Sequence, residues 1–211
     1  MSATIDLFWS FRSPYSYLCT PGALEVVRDF DVSIVFRPVL PLAVRQPDFF
    51  SPENAKRARY IGVDYPRRAE LLGLPCSWPS PDPIVQDMET FAVAEEQPYI
   101  YRLTYLGVEA QRRGRGLPFA AEVSLVLFGG TRDWDQGSHL ADAAARAGLD
   151  LADMETAIAN PESHASEVQA NQKALEESGH WGVPTCVYKG DPFFGQDRID
   201  SLRFCLSKDG L

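Results

Sequence analysis

Three short stretches combine residue types that can do chemistry. The first is Ser13-Pro14-Tyr15-Ser16, which breaks an apolar run. Serine before proline signals a helix start, because Ser caps and Pro is tolerated at the first helical position. A helix start offers free N–H groups and a partial positive charge, which favour an anion such as a thiolate. The plainer explanation is that Ser13 is only an N-cap. The second stretch is Trp181-Gly182-Val183-Pro184-Thr185. A proline between β-branched residues at a strand start suits a cis Val183–Pro184 bond, with the Val183 backbone groups turned outward to pair with an extended ligand. A trans proline on an edge strand explains it equally well. The third is Phe194-Gly195-Gln196-Asp197-Arg198. Asp197 can hold an ammonium and the N–H groups a carboxylate; alternatively Gln196 or Asp197 merely caps a final helix.

The elements that must position these residues follow from apolar spacing. Ile5 to Phe11 reads as a buried strand, Pro14 to about Phe30 as a helix kinked near Pro21-Gly22, and Val32 to Val39 as a second strand. That is a βαβ unit with a parallel pair. Helical spacing then dominates: Pro52 to Leu72, Ile84 to Gln97, Pro98 to Arg113, Pro118 to Phe128, Ser138 to Ala147 and Leu151 to Ile158, with a Pro-rich loop from Leu74 to Pro83. Glu162 to Ser178 is an amphipathic helix. Val183 to Tyr188, a turn at Lys189-Gly190-Asp191-Pro192, and Phe193-Phe194 form a hairpin, and a last helix runs to about Leu206. The expected fold class is α/β: a thioredoxin-like fold with a large all-helical insertion between its βαβ and ββα halves. Residues 1–41 and 162–211 would form the discontinuous thioredoxin-like domain, and 42–161 the inserted one. In such a fold the Ser13–Ser16 turn holds the redox Cys pair. Hydroxyls cannot form a mixed disulfide, so a dithiol cycle is excluded there.

Composition narrows the function classes. The 211 residues carry 20 Lys+Arg against 29 Asp+Glu, a net charge of −9, which argues against nucleic acid as a partner. The short basic run Arg112, Arg113, Arg115 reads as a solvated loop or helix end. No stretch is long and apolar enough to span a bilayer, and the first residues lack the pattern of a signal peptide. The expectation is a cytoplasmic protein with no membrane partner. Cys19, Cys76, Cys186 and Cys205 form no CxxC pair and read as free, buried thiols; the scattered histidines make no metal site.

Together the three stretches become specific. The chain resembles 2-hydroxychromene-2-carboxylate isomerases and their relatives, the kappa-class glutathione transferases, in the DsbA-like branch of the thioredoxin superfamily. The resemblance rests on Arg12-Ser13-Pro14-Tyr15-Ser16-Tyr17-Leu18 after a strand, on Gly182-Val183-Pro184-Thr185, and on Phe193-Phe194-Gly195-Gln196-Asp197-Arg198. Ala55 to Leu74, with Tyr60, Asp64 and the ending Gly73-Leu74-Pro75, looks like the family's first inserted helices.

The resemblance implies glutathione as the bound thiol and Ser13 as the catalytic hydroxyl facing its sulfur. It implies that Val183, ahead of Pro184, pairs with the cysteinyl part, and that Gln196 and Asp197 hold the γ-glutamyl end. Asn54 and a basic residue, Lys56 or Arg57, would add contacts from the insertion. The implied reaction is the cis-trans isomerisation of a conjugated aromatic-degradation intermediate by reversible thiolate addition. A transferase that stops at addition and a non-catalytic thioredoxin-fold binder are the alternatives. The aromatic small-molecule substrate would meet Tyr15, Trp78 and Trp181, with Arg12, Lys56 or Arg57 holding its carboxylate. Tyr17 is a further candidate wall residue, whereas Trp9 and Phe11, on a strand, read as core. Homodimers are common in the family.

Overall fold

The computed structural model describes residues 3–87 and 89–211, without the side chains of Asp48 and Asn54. Strand β1, Ala3–Trp9, pairs in parallel with β2, Val32–Pro38, from Ala3↔Val32 to Trp9↔Pro38. Helix α1, Pro14–Asp29, makes the crossover and runs unbroken through Pro21. At the other end of the chain, β3 (Thr185–Tyr188) pairs antiparallel with β1, and β4 (Asp191–Phe194) antiparallel with β3. The sheet order is β2-β1-β3-β4. The first strand ends at Trp9, earlier than the expected Phe11: the Val39 N–H makes a last bond to the Trp9 carbonyl, and the chain then turns at Ser10, whose carbonyl accepts from the Ser13 N–H at 3.0 Å.

Helices fill the chain between the two halves of the sheet: α2 (Leu42–Arg45), α3 (Ala55–Leu72), α4 (Ile100–Arg112), α5 (Gly116–Phe128), α6 (His139–Arg146) and α7 (Leu151–Ile158). Helix α8, Glu162–Glu177, leads back to the sheet, and α9, Ile199–Lys208, ends the chain. One core cluster joins strand residues Ile5, Leu7 and Trp9 to Leu103, Phe119 and Trp134 of the inserted segment. Phe11 packs edge-on to Phe36 and Phe119, with ring centroids 6.2 and 6.0 Å apart, so Trp9 and Phe11 are core as expected. Helix α4 reaches the sheet at Gly107, where a Cβ would lie 2.7 Å from the Phe11 ring.

Two expectations need correction. Ile84 to Gln97 is not helical where it is described; Met88 lies outside the described residues. Side chains there capture the backbone bonds a helix would need. The Asp87 carboxylate accepts from the N–H groups of Glu89 and Thr90, and the Gln97 amide bonds both the N–H and the C=O of Val85. At the C-terminal end, neither Gln196 nor Asp197 caps α9. A short 3-10 turn, Gln196–Arg198, intervenes, and Arg198 occupies the cap position without a side-chain bond. Nor are all the cysteines buried. Cys19 and Cys186 are, and burial pushes the Cys186 thiol up to about 12, whereas Cys76, in the Pro-rich loop, is exposed and Cys205 is half-buried.

The basic run at the end of α4 is paired rather than merely solvated. Arg113 Nε donates to Glu109 at 2.8 Å, and Arg112 bonds Glu167 of α8. His164 Nε2 lies 3.1 Å from the Glu109 carboxylate, tying α8 to α4. Burial pushes the Glu109 carboxyl up, but the hydrogen bonds from Arg113 and His164 outweigh it and hold the group below its ordinary value. A carboxyl lowered by folding stabilises the native state above its unfolded pKa of about 4.3, and that contribution is lost as pH falls through the folded value. The urea midpoint is therefore expected to drop as pH is lowered through about 4, and Glu109→Gln to flatten that limb. An equally steep limb in the variant would assign the acid sensitivity to other carboxylates.

Candidate active site

The turn after β1 and the loop before β3 meet at Ser13. Ser13 has extended backbone, φ −88° and ψ 115°, and caps α1: its Oγ accepts from the Ser16 N–H at 3.2 Å. The same hydroxyl donates to the Val183 carbonyl at 3.3 Å. Its capping role is thus real, and it leaves the hydroxyl proton free to point elsewhere, because a cap uses only an oxygen lone pair. The Val183–Pro184 bond is cis. The Val183 N–H has no partner among the described residues. Ser16 is fully buried and turned inward.

Two cavities open from this point and share Tyr15, Tyr60, Val183 and Phe194. The first, about 570 Å³, contains Ser13 and is walled by Phe49, Phe50, Ile61 and Trp181. Among the described residues its lining holds Arg12, Arg45, Lys56 and Arg57 and no acidic side chain, although the whole chain is acidic. Trp181 packs against Phe49 at 4.9 Å between ring centroids. The His180 ring stacks on Phe194 at 3.9 Å, and burial lowers its pKa. Gly182 permits that packing: a Cβ there would lie 2.4 Å from the Phe194 ring.

The four cations differ in what already holds them. Arg12 is engaged by Asp82, Nε to Oδ1 at 3.2 Å and Nη2 to Oδ2 at 3.0 Å. Among the described residues Arg45 donates to the carbonyls of Leu40 and Trp181, and burial lowers its pKa. Arg57 lies over the Phe49 ring at 4.3 Å and donates to the Phe49 carbonyl. Lys56 has no acidic partner among the described residues. Both basic residues of the expected insertion contact therefore reach the cavity. The side chain of Asn54 lies outside the described residues.

The second cavity, about 470 Å³, is polar, with Asp64, Arg68, Gln196, Asp197 and Arg198 in its lining. Tyr15 forms the partition. Its hydroxyl donates to Asp64 at 2.8 Å, and burial together with that bond raises its pKa. Gln196 accepts from Arg68 at 3.0 Å, and Asp197 pairs with Arg198 at 3.1 Å.

Of the expected site residues, Arg12, Ser13, Tyr15, Lys56, Arg57, Trp181 and Val183 line the first cavity, and Gln196 and Asp197 the second. Trp78 is not in either lining: it packs against Tyr65, with Arg12 5.9 Å from its ring. Tyr17 is core, stacked on Phe128 at 5.4 Å with its hydroxyl bonded to the Pro75 carbonyl. Sequence reasoning missed Arg45, Phe49, Phe50, Arg68 and Asp82. The adjacent aromatic pair in a polar, Pro-flanked segment was a usable signal for Phe49 and Phe50. Nothing local marked Asp82, whose partner is 70 positions away.

Relatives share this architecture across nearly their whole length. The chain is 22% identical over 210 residues to a 2-hydroxychromene-2-carboxylate isomerase of Sphingobium xenophagum, covering 98% of this chain and 99% of the relative. A solved 2-hydroxychromene-2-carboxylate isomerase superposes with a TM-score of 0.73 at 20% identity, over 97% of this chain and 95% of the other. The cytosolic disulfide reductase DsbM from Pseudomonas aeruginosa, solved with GSH, superposes at 0.60 and 14% identity, over 97% and 99%. Residues 4–206 match the model of the DSBA-like thioredoxin domain, and the chain belongs to that family.

Proposed function

We propose that this chain is a glutathione-dependent cis-trans isomerase of a conjugated aromatic carboxylate, similar in reaction to 2-hydroxychromene-2-carboxylate isomerase. The observation that carries the reading is the position of the Ser13 hydroxyl: it faces Val183 where a largely apolar cavity carrying four cationic side chains meets a mixed-charge one. A tripeptide thiol needs just such a junction, polar for its charged ends and apolar beside its sulfur. The unpartnered Val183 N–H fits the cysteinyl backbone as an added strand pairing. DsbM, which shares the fold, is a relative solved with GSH.

When bound, glutathione supplies a thiolate that adds reversibly to the conjugated double bond, so that the bond turns as a single bond before elimination. Ser13 turns its proton from the Val183 carbonyl to the sulfur anion, and the N-terminus of α1 adds its field. Both favour the thiolate at neutral pH. Phe49, Phe50 and Trp181 enclose the flat ring and exclude water. Lys56 and Arg45, neither paired with an acid among the described residues, attract the substrate carboxylate.

Titration calorimetry with glutathione should give a saturable one-site isotherm. Added 2-hydroxychromene-2-carboxylate should then isomerise with catalytic glutathione and no loss of total thiol. Stoichiometric consumption of thiol would make the chain a transferase instead. A wild-type protein that shows no heat with glutathione would overturn the reading.

A further inference from the structure

We propose that His180 is a positioning residue for the thiol-binding loop: its unprotonated Nδ1 holds the Gly182 N–H, and a proton taken up by the ring releases that bond and loosens the grip of Val183 on the thiol. This rests on the glutathione reading and adds a pH dependence to the same site.

The loop before β3 is held almost atom by atom. Arg45 donates to the Trp181 carbonyl at 2.9 Å, Thr185 Oγ to the Gly182 carbonyl at 2.7 Å and Ser13 to the Val183 carbonyl at 3.3 Å. The Gly195 N–H donates to the Pro184 carbonyl at 2.8 Å. The Gly182 N–H donates to His180 Nδ1 at 2.9 Å. The Gly182 carbonyl and the Val183 N–H share one planar peptide, so the Thr185 bond sets the direction of that N–H. The His180 bond fixes the peptide before it. Between the two planes stands a glycine, which has the widest backbone freedom of any residue. Gly182 is buried, so water does not readily replace a lost bond there.

A ring nitrogen that accepts an N–H carries no proton of its own, so His180 is the neutral tautomer with its proton on Nε2. Imidazolium has an N–H at both positions and would set one donor against another. The ring cannot simply turn away, because it is stacked on Phe194 at 3.9 Å and on Trp181 at 5.1 Å. The charged groups of the elements around this loop are engaged elsewhere. Arg45 of α2 bonds carbonyls and feels the charge of Glu176 in α8, Glu177 pairs with Lys173, and Asp197 beyond β4 pairs with Arg198. Among the described residues none of them bonds the imidazole, and Phe49, packed on Trp181, has no charge. Burial lowers the His180 pKa, so the neutral form prevails at pH 7 and is lost as pH falls below the ordinary histidine value of about 6.5.

The test titrates the full chain with S-methylglutathione, whose thioether has no proton to lose, at about pH 7 and pH 5, the range in which histidine changes charge. The wild-type dissociation constant should rise about 3–10-fold on acidification, the scale of one hydrogen bond. His180→Asn keeps an acceptor for the N–H two residues on, as in an Asx turn, and cannot titrate. It should bind like wild type at pH 7 and lose the acid weakening. His180→Phe keeps a ring to stack but has no acceptor, and should bind about 10-fold more weakly at both pH values. In wild type the Gly182 amide resonance should shift with the same midpoint as the His180 ring. An asparagine variant that keeps the acid weakening, or a phenylalanine variant that binds like wild type at pH 7, would overturn the proposal while glutathione binding stands. Wild type that binds no thiol at pH 7 would remove the functional reading beneath it; a Gly182 amide that ignores the His180 titration would overturn the proposal independently of any ligand.

Discussion

Ser13→Ala is expected to lower turnover by about 10²–10³-fold, the loss seen when one preorganised donor to a developing anion is removed. It should also raise the pKa of the bound thiol, because the sulfur anion loses its hydroxyl donor while keeping the helix field. The structure adds a complication: Ser13 also caps α1 through the Ser16 N–H. The alanine variant should therefore lose roughly 1 kcal/mol of stability as well. Ser13→Gly separates the two effects. Glycine at an N-cap costs only about a few tenths of a kcal/mol, yet it removes the hydroxyl just as completely. Both variants should share the same catalytic loss and the same shifted thiolate titration, read from ultraviolet absorbance against pH, while only alanine melts clearly earlier. If both variants titrate like wild type, Ser13 is a cap and nothing more. Ser13→Cys should trap glutathione as a mixed disulfide, because Ser16 is a hydroxyl and cannot resolve it.

Trp134→Ala should be among the most destabilising single changes, at about 3–5 kcal/mol. Trp134 is fully buried in the inserted segment and packs edge-on to Tyr99 with ring centroids 5.4 Å apart. Its Nε1–H donates to the Pro81 carbonyl at 2.6 Å, and the Asp133 N–H donates to the Ser80 carbonyl at 2.8 Å. These bonds fix the loop that carries Asp82, the partner of Arg12 at the first cavity. Trp134→Phe keeps most of the apolar volume but leaves the Pro81 carbonyl without its donor, a cost of about 1–3 kcal/mol. Urea unfolding should show both losses as lower midpoints with an unchanged slope. Equal midpoints for the two variants would mean that ring volume counts for nothing here and that the indole bond is the whole effect.

The sequence by itself determined the parts of this protein that short-range chemistry decides. The βαβ start, the hairpin and the helical middle were legible because apolar period and breakers are local signals. The cap at Ser13 was legible for the same reason, whereas local signals left cis and trans before Pro184 equally open and the folded structure holds the bond cis. Ser13, Val183 and Gln196 stood out because each sits at an element boundary where backbone groups are left unpaired. The segment from Ile84 to Gln97 misled because its composition suits a helix, while its Asp87 and Gln97 side chains outcompete the helical bonds. Only the tertiary structure decided the charge balance of the site. Arg12 was expected to hold a substrate carboxylate, and in the fold Asp82 engages it; Arg45 carried no local signal, and the fold sets it against the carbonyls of Leu40 and Trp181. Asp64 and Arg68 stand four residues apart on α3, yet in the fold Tyr15 and Tyr60 hold the one and Gln196 the other. A side chain's net charge in a cavity depends on which distant groups fold against it, and that pairing is set by packing rather than by neighbours along the chain.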